Sequence, residues 1–215
     1  MLNLSEIIDN KEKFIELLSD SNGENVNNLI SYMINETDFF TAPASTKYHG
    51  NFEGGLCEHS LKVYEVLSRK NKAFQCNVPE ESVIIIALLH DLCKANFYTK
   101  VFKNVKVGTK VKNGKEYADW QQQEVWSVED QLPFGHGQKS VIIAQKFIQL
   151  NDLEISCILN HMGPPQNGGF AENNAYSLAT KMFPFSILTH TADYEAAYFL
   201  EKTVDPLQPE KPKNK

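Results

Sequence analysis

The spacing of apolar residues along the chain predicts a mostly helical protein. Between residues 24 and 35, apolar residues recur every three or four positions, as in an amphipathic helix. Residues 83–89 are apolar on every side, so we expect this helix, which starts at Pro79, in the middle of a bundle. Ser5 can cap a first helix that runs to about residue 18. Further helices are predicted over 56–72, 137–150, 152–161, 176–182 and 185–202.

Residues 99–130 interrupt the helical pattern. Val105, Val107 and Val111 alternate with polar residues, and Asn113-Gly114 follows them. Asn-Gly tolerates the positive φ angles of a two-residue turn, so this segment predicts a β-hairpin. We therefore expect an all-α fold, a helical bundle with one β-hairpin inserted at about residues 99–130. Residues 1–37 are predicted to be a helical extension on a main domain of 38–203, and residues 204–215 a disordered tail.

Composition and charge narrow the class of protein. The chain has 215 residues and a net charge of -6, which argues against a broad basic face for duplex nucleic acid. Its four cysteines form no C-x-x-C pair, as is usual for a reducing compartment. The first residues show no basic segment followed by an apolar run, and no apolar run is long enough for a membrane span. We expect a cytoplasmic protein.

The pair His90-Asp91, at the end of the most apolar helix, is the first candidate for chemistry. Burying an imidazole beside a carboxylate is costly unless something satisfies both groups, and a divalent metal ion would do so. Facing helices of a bundle can bring distant ligands to one point. His59 begins the preceding helix and Asp193 lies in the last one, so we expect these four residues to bind a metal ion.

Three further residues extend this candidate site. Lys94 follows His90 by four positions and therefore lies on the same helix face, where its ammonium group can orient or neutralise a phosphate. His136 and His161 add two imidazoles, enough for a second ion bridged by Asp91.

Two motifs around these residues carry a resemblance to a known family. They are Gly54-Gly55-Leu56-Cys57-Glu58-His59-Ser60 and Leu88-Leu89-His90-Asp91-Leu92-Cys93-Lys94. Together with Asp193, which follows both motifs in the sequence, they make the chain resemble the HD-domain metal-dependent phosphohydrolases over about residues 38–200. The resemblance is strongest to the HD domain of bacterial 3′–5′ exoribonucleases that carry an OB-type domain ahead of it, which share Phe39-Phe40, Pro43-Ala44, His49, Gly135-His136 and Asn160-His161-Met162-Gly163. The chain departs from this family in three ways. Residues 1–37 predict two helices and not the barrel of an OB-type domain. Cys93 stands where the family usually has glycine, and the hairpin has no counterpart in the exoribonuclease domain.

The resemblance implies a site and a reaction. One ion would be held by His59, His90, Asp91 and Asp193, and a second by His136, His161 and the bridging Asp91. The implied reaction is hydrolysis of a phosphomonoester or phosphodiester bond in a nucleotide or short oligonucleotide, with a metal-activated water attacking phosphorus in line. Lys94 would stabilise the non-bridging oxygens, so Lys94 and Asp91 are the expected catalytic residues. The expected cofactor is one or two divalent ions of Mn, Fe, Ni, Co, Zn or Mg.

Two other functions stay open at this point. One is a 3′–5′ exonuclease on single-stranded RNA or DNA, although the net charge favours a small phosphorylated substrate. The other is a non-hydrolytic metalloprotein similar to di-iron oxygenases. The hairpin lysines could steer a phosphorylated substrate, or they could protect the edge of the ribbon from pairing with another strand. Trp120 and Trp126 could stack on a base, although we expect both rings to pack on the helical body. The sequence predicts no membrane partner and leaves the oligomeric state open.

Overall fold

The computed structural model describes residues 1–21 and 25–203. Helices and one β-ribbon make up this part of the chain. The helices are α1 (Leu4–Ser19), α2 (Val26–Asn35), α3 (Gly55–Ala73), α4 (Glu80–Leu89), α5 (His136–Ala144), α6 (Asp152–Leu159), α7 (Phe170–Met182) and α8 (Phe185–Glu195), and the strands are β1 (Tyr98–Lys112) and β2 (Lys115–Val128). A 3₁₀ turn over Leu92–Lys94 follows α4, and a π-helical turn over Ala196–Leu200 extends α8. The tail predicted over 204–215 lies outside the described residues.

The prediction of an all-α fold was wrong. Helices account for 52% of the structure and a two-stranded antiparallel sheet for 14%, so the architecture is mixed helical and β. The strands extend so far because Asn113 and Gly114, with φ angles of 54° and 73°, close a tight turn from which pairing runs back to Tyr98 and Val128. One bulge, between Lys106 and Gly108, interrupts this register. The two long strands therefore form an arm and not a minor insertion in a bundle.

Helix α4 lies at the centre of the helical body. Its apolar residues 83–89 are all buried, and α1, α3 and α6 pack around it. Helices α1 and α2 belong to the same core, since the ring of Phe14 lies 5.1 Å from that of Phe39 and 5.4 Å from that of Phe40. Residues on both sides of the predicted boundary at 37/38 thus share one apolar cluster.

The start of α1 differs from the prediction by two residues. Asn3 caps this helix instead of Ser5: its side chain accepts a hydrogen bond from the Glu6 N–H, and the Glu6 carboxylate accepts one from the Asn3 N–H. This reciprocal pair satisfies two amide groups that the helix itself leaves free. No helix within residues 1–21 and 25–203 combines the length and the apolar character needed to cross a membrane.

Two glycines allow the close contacts that place the candidate histidines. A Cβ at Gly55 would clash with the backbone of Gly50, so only glycine lets the start of α3 rest against the 38–50 loop. A Cβ at Gly137 would likewise clash with the carbonyl oxygen of Leu159, where α5 crosses the end of α6. The beginning of α3, the beginning of α5 and the end of α6 are thereby drawn toward the end of α4.

Candidate metal centre

Five predicted ligands meet at the end of α4. The Nε2 atom of His59 lies 3.1 Å from Nε2 of His90, 3.2 Å from Oδ1 of Asp193 and 3.5 Å from Oδ2 of Asp91. Nε2 of His90 is 3.4 Å from the same Asp91 oxygen, and Nε2 of His161 is 3.5 Å from Asp91 Oδ1. The three histidines and Asp91 are buried, whereas 17% of the Asp193 side chain is exposed.

The outer nitrogen of each of the three imidazoles faces a fixed acceptor. Because Nδ1 therefore carries the proton in the neutral ring, the lone pair of Nε2 points toward the centre of the cluster. This orientation is typical of histidines that bind metal ions. The acceptors are the carbonyl oxygen of Ala87 for His90 (2.8 Å), that of Ile158 for His161 (2.7 Å) and Glu201 Oε1 for His59 (2.7 Å).

The centre of the cluster is built for a cation. Three imidazole Nε2 atoms and a carboxylate converge on one point, and they repel one another unless a metal ion or a proton lies between them. Asp91 Oδ1 and His161 Nε2 are buried and have no hydrogen-bond partner within the described residues, although buried polar groups normally have one. His59, His90 and Asp91 could therefore hold a metal ion. Their nitrogen and oxygen donors suit a divalent ion of the borderline class.

Lys94 places a positive charge directly beside this cluster. Its Nζ lies 2.7 Å from Oδ2 of Asp91. Burial raises the pKa of Asp91, but Lys94 and His90 outweigh burial and hold that pKa well below its usual value. Burial lowers the pKa of Lys94, and Asp91 more than restores it, so the lysine pKa lies above its ordinary value. Both groups are consequently charged at neutral pH.

The protonation of His59 links the cluster to pH. Burial lowers the pKa of His59, but the carboxylates of Glu201 and Asp193 outweigh burial and raise it to about 10. At neutral pH the metal-free ring is therefore an imidazolium. Because a metal ion binds only the deprotonated nitrogen, binding must displace this proton and weakens as the pH falls.

His136 lies at the edge of the cluster and not at its centre. It is the first residue of α5, where its Nδ1 is 3.4 Å from Sγ of Cys93 and its ring packs edge-on against Phe97. Within residues 1–21 and 25–203, no ion pair joins His136 to Asp91. Burial lowers the pKa of His136, so the ring is neutral at ordinary pH. Its role as ligand to a second ion remains a prediction.

Two residues beside His59 complete the cluster: Glu201, which the sequence did not predict, and His49, for which the sequence favours a supporting role. Glu201 follows the π-helical turn, has a fully buried carboxylate and accepts the hydrogen bond from His59 Nδ1. The ring of His49 is tilted by 36° against that of His59, with the ring centres 5.0 Å apart. Donor atoms of His49, His59 and Glu201 lie within 4.8 Å of one another. No motif marks Glu201, because its partner is 142 positions away and nothing in the local pattern connects the two.

Loss of the Glu201 carboxylate should weaken metal binding. Without this acceptor the His59 ring can rotate and change tautomer, so we expect Glu201→Ala to lower the affinity for Mn²⁺ about 10- to 100-fold. Glu201→Gln, which still offers an oxygen to Nδ1, should lose less. Isothermal titration with Mn²⁺ measures both variants, and Glu12→Ala on the exposed side of α1 is the control. Equal affinity in Glu201→Ala and Glu12→Ala would show that Glu201 does not position His59.

No family model, curated protein or solved structure matches this chain.

Proposed function

We propose that this chain is a metal-dependent phosphohydrolase of the HD-domain type, which hydrolyses a phosphomonoester or phosphodiester bond in a nucleotide or short oligonucleotide. One observation carries the proposal: three imidazole Nε2 atoms and the Asp91 carboxylate converge in a buried centre with the Lys94 ammonium group beside them. Nitrogen and oxygen donors bind a divalent ion, and the adjacent lysine favours an anionic substrate. The order His59, His90-Asp91, Asp193 in the sequence supports the same assignment.

The two oxygens of Asp91 point to two different groups of ligands. Oδ2 faces His59 and His90, which with Asp193 would hold one ion. Oδ1 faces His161, which with His136 would hold a second. When bound, such ions polarise phosphoryl oxygens and lower the pKa of a coordinated water.

The residues of the chain orient the ligands and bind the substrate. The carbonyl groups of Ala87 and Ile158 and the Glu201 carboxylate keep each imidazole from rotating. Lys94 retains its proton beside Asp91 and can donate hydrogen bonds to a non-bridging phosphoryl oxygen. It thereby stabilises the negative charge that grows on that oxygen in the transition state.

Metal analysis combined with two assays tests the proposal. We expect protein purified without chelator to contain a divalent ion and to hydrolyse bis(p-nitrophenyl) phosphate. Dialysis against EDTA should abolish this activity, and added divalent metal should restore it, because the ligands remain in place. Bound iron with oxygen consumption and no phosphodiester hydrolysis would contradict the proposal and indicate an oxygenase-like metalloprotein.

A further inference from the structure

The β-ribbon starts at the rim of the candidate metal centre and extends away from it. Tyr98, the first residue of β1, donates a hydrogen bond to the Ala44 carbonyl oxygen (3.3 Å) and is four positions from Lys94. Strands of this length span about 50 Å. From residue 99 to residue 129 no side chain is buried. A two-stranded ribbon without a covering layer is marginally stable in water, so its surface is suited to a partner.

One face of the ribbon combines aromatic rings with lysines. Directly paired residues share a face, and the register pairs Lys106 with Trp120 and Lys100 with Trp126. The Lys100 ammonium group lies 5.1 Å from the centre of the Trp126 ring. Phe102 is on the same face by strand alternation and is 68% exposed, and Trp120 is 58% exposed. The expectation that Trp120 packs on the helical body is therefore wrong.

The charge of the ribbon is opposite to that of the rest of the chain. Residues 98–128 contain six lysines and three carboxylates, whereas the whole protein has a net charge of -6. Two of the carboxylates pair with Lys100 (3.6 Å) and Lys110 (3.0 Å), which leaves a surplus of lysine charge along the arm. Lysines alone could serve to keep the strand edges from pairing with other chains. Exposed tryptophan and phenylalanine rings would instead promote association, so this protection does not explain the whole surface. Lysines and exposed rings on one face together match a polyanion that carries flat, stackable groups.

We propose that the aromatic face of this ribbon binds a single-stranded polynucleotide. The lysines contact its phosphates and the rings of Phe102, Trp120 and Trp126 stack on its bases, without preference for sequence. A duplex does not fit this surface, because its bases are already stacked on one another. Since the ribbon begins beside Lys94, the bound strand leads toward the metal centre. Only the identification of this strand as the substrate of the metal centre rests on the proposed function.

Fluorescence anisotropy on the full-length, metal-free protein tests this binding surface. The probe is a fluorescein-labelled single-stranded oligonucleotide of about 15 nucleotides, which EDTA protects from hydrolysis. We expect Trp120→Ala to weaken binding about 5- to 150-fold, because one stacking contact is lost. The matched control is Phe74→Ala, which removes an exposed ring at the far end of α3 and should bind as the wild type does.

The lysines are tested by salt dependence. The double variant Lys100→Gln, Lys106→Gln should reduce the slope of log affinity against log salt by about 1.4, because two phosphate contacts are lost. Lys146→Gln, on the helical body, should leave this slope unchanged. Circular dichroism establishes that the variants are folded.

Two results would overturn the proposal. The first is wild-type oligonucleotide binding in both ribbon variants. The second is a wild-type protein that light scattering shows to be a dimer and a Trp120→Ala variant that is a monomer but binds the oligonucleotide as before. The ribbon would then be a surface for self-association. Because binding is measured without metal, it is independent of the phosphohydrolase assignment. A protein that hydrolyses no phosphoester but loses oligonucleotide binding in Trp120→Ala would refute the proposed function and retain the binding surface.

Discussion

Replacement of Asp91 by alanine should abolish both metal retention and hydrolysis of bis(p-nitrophenyl) phosphate. Its carboxylate is the only group in the described cluster that faces His59 and His90 with one oxygen and His161 with the other. Without it, the three imidazoles and the Asp193 carboxylate lose the group that joins them, and the ammonium group of Lys94, no longer paired, repels a cation. Metal content after gel filtration and initial rates of hydrolysis measure the two losses.

The controls for Asp91 separate loss of the site from loss of the fold. In Asp91→Ala the Lys94 charge is largely buried and unpaired. Breaking a buried ion pair in this way lowers the free energy of unfolding by about 3–5 kcal/mol. Asp91→Asn keeps the volume and should also lose metal and activity, while circular dichroism reports whether the helices persist. Glu58→Ala is the matched control within the same motif region, since Glu58 pairs with Lys62 (2.6 Å) and should be dispensable. Activity in Asp91→Ala, or equal loss in Glu58→Ala, would contradict the site.

Much of the candidate site follows from short-range sequence signals. The unbroken apolar run of α4 predicts a central helix, and a polar pair at its end can only be accommodated by partners from neighbouring helices. Two ring orientations are also local, because His90 and His161 each bond a carbonyl group three residues earlier, at the end of a helix. Glu201 is different: its contact with His59 depends on how the chain returns after α8, and periodicity within a helix contains no information about that path.

The ribbon, too, could be predicted only in part from the sequence. Alternation and Asn113-Gly114 predict paired strands, and the strands are present. Alternation also indicates which residues share a face, but not whether another layer covers that face, so the exposure of Trp120 was not predictable. The bulge after Lys106 changes the phase of β1 relative to β2, and only the observed register shows which lysines accompany the rings.

Substitution of Lys94 by methionine should lower kcat about 100- to 1,000-fold, as removal of one donor to a developing oxyanion commonly does. Metal retention should persist, because Asp91 then loses its competing ion-pair partner and is freer to bind the metal ion. Metal content and steady-state kinetics on bis(p-nitrophenyl) phosphate measure these opposite outcomes. Lys94→Arg should recover part of the rate, and Lys62→Met, which removes a comparably shielded lysine on α3, should have little effect. Loss of metal together with activity in Lys94→Met would show that Lys94 supports the structure of the site and does not act on the substrate.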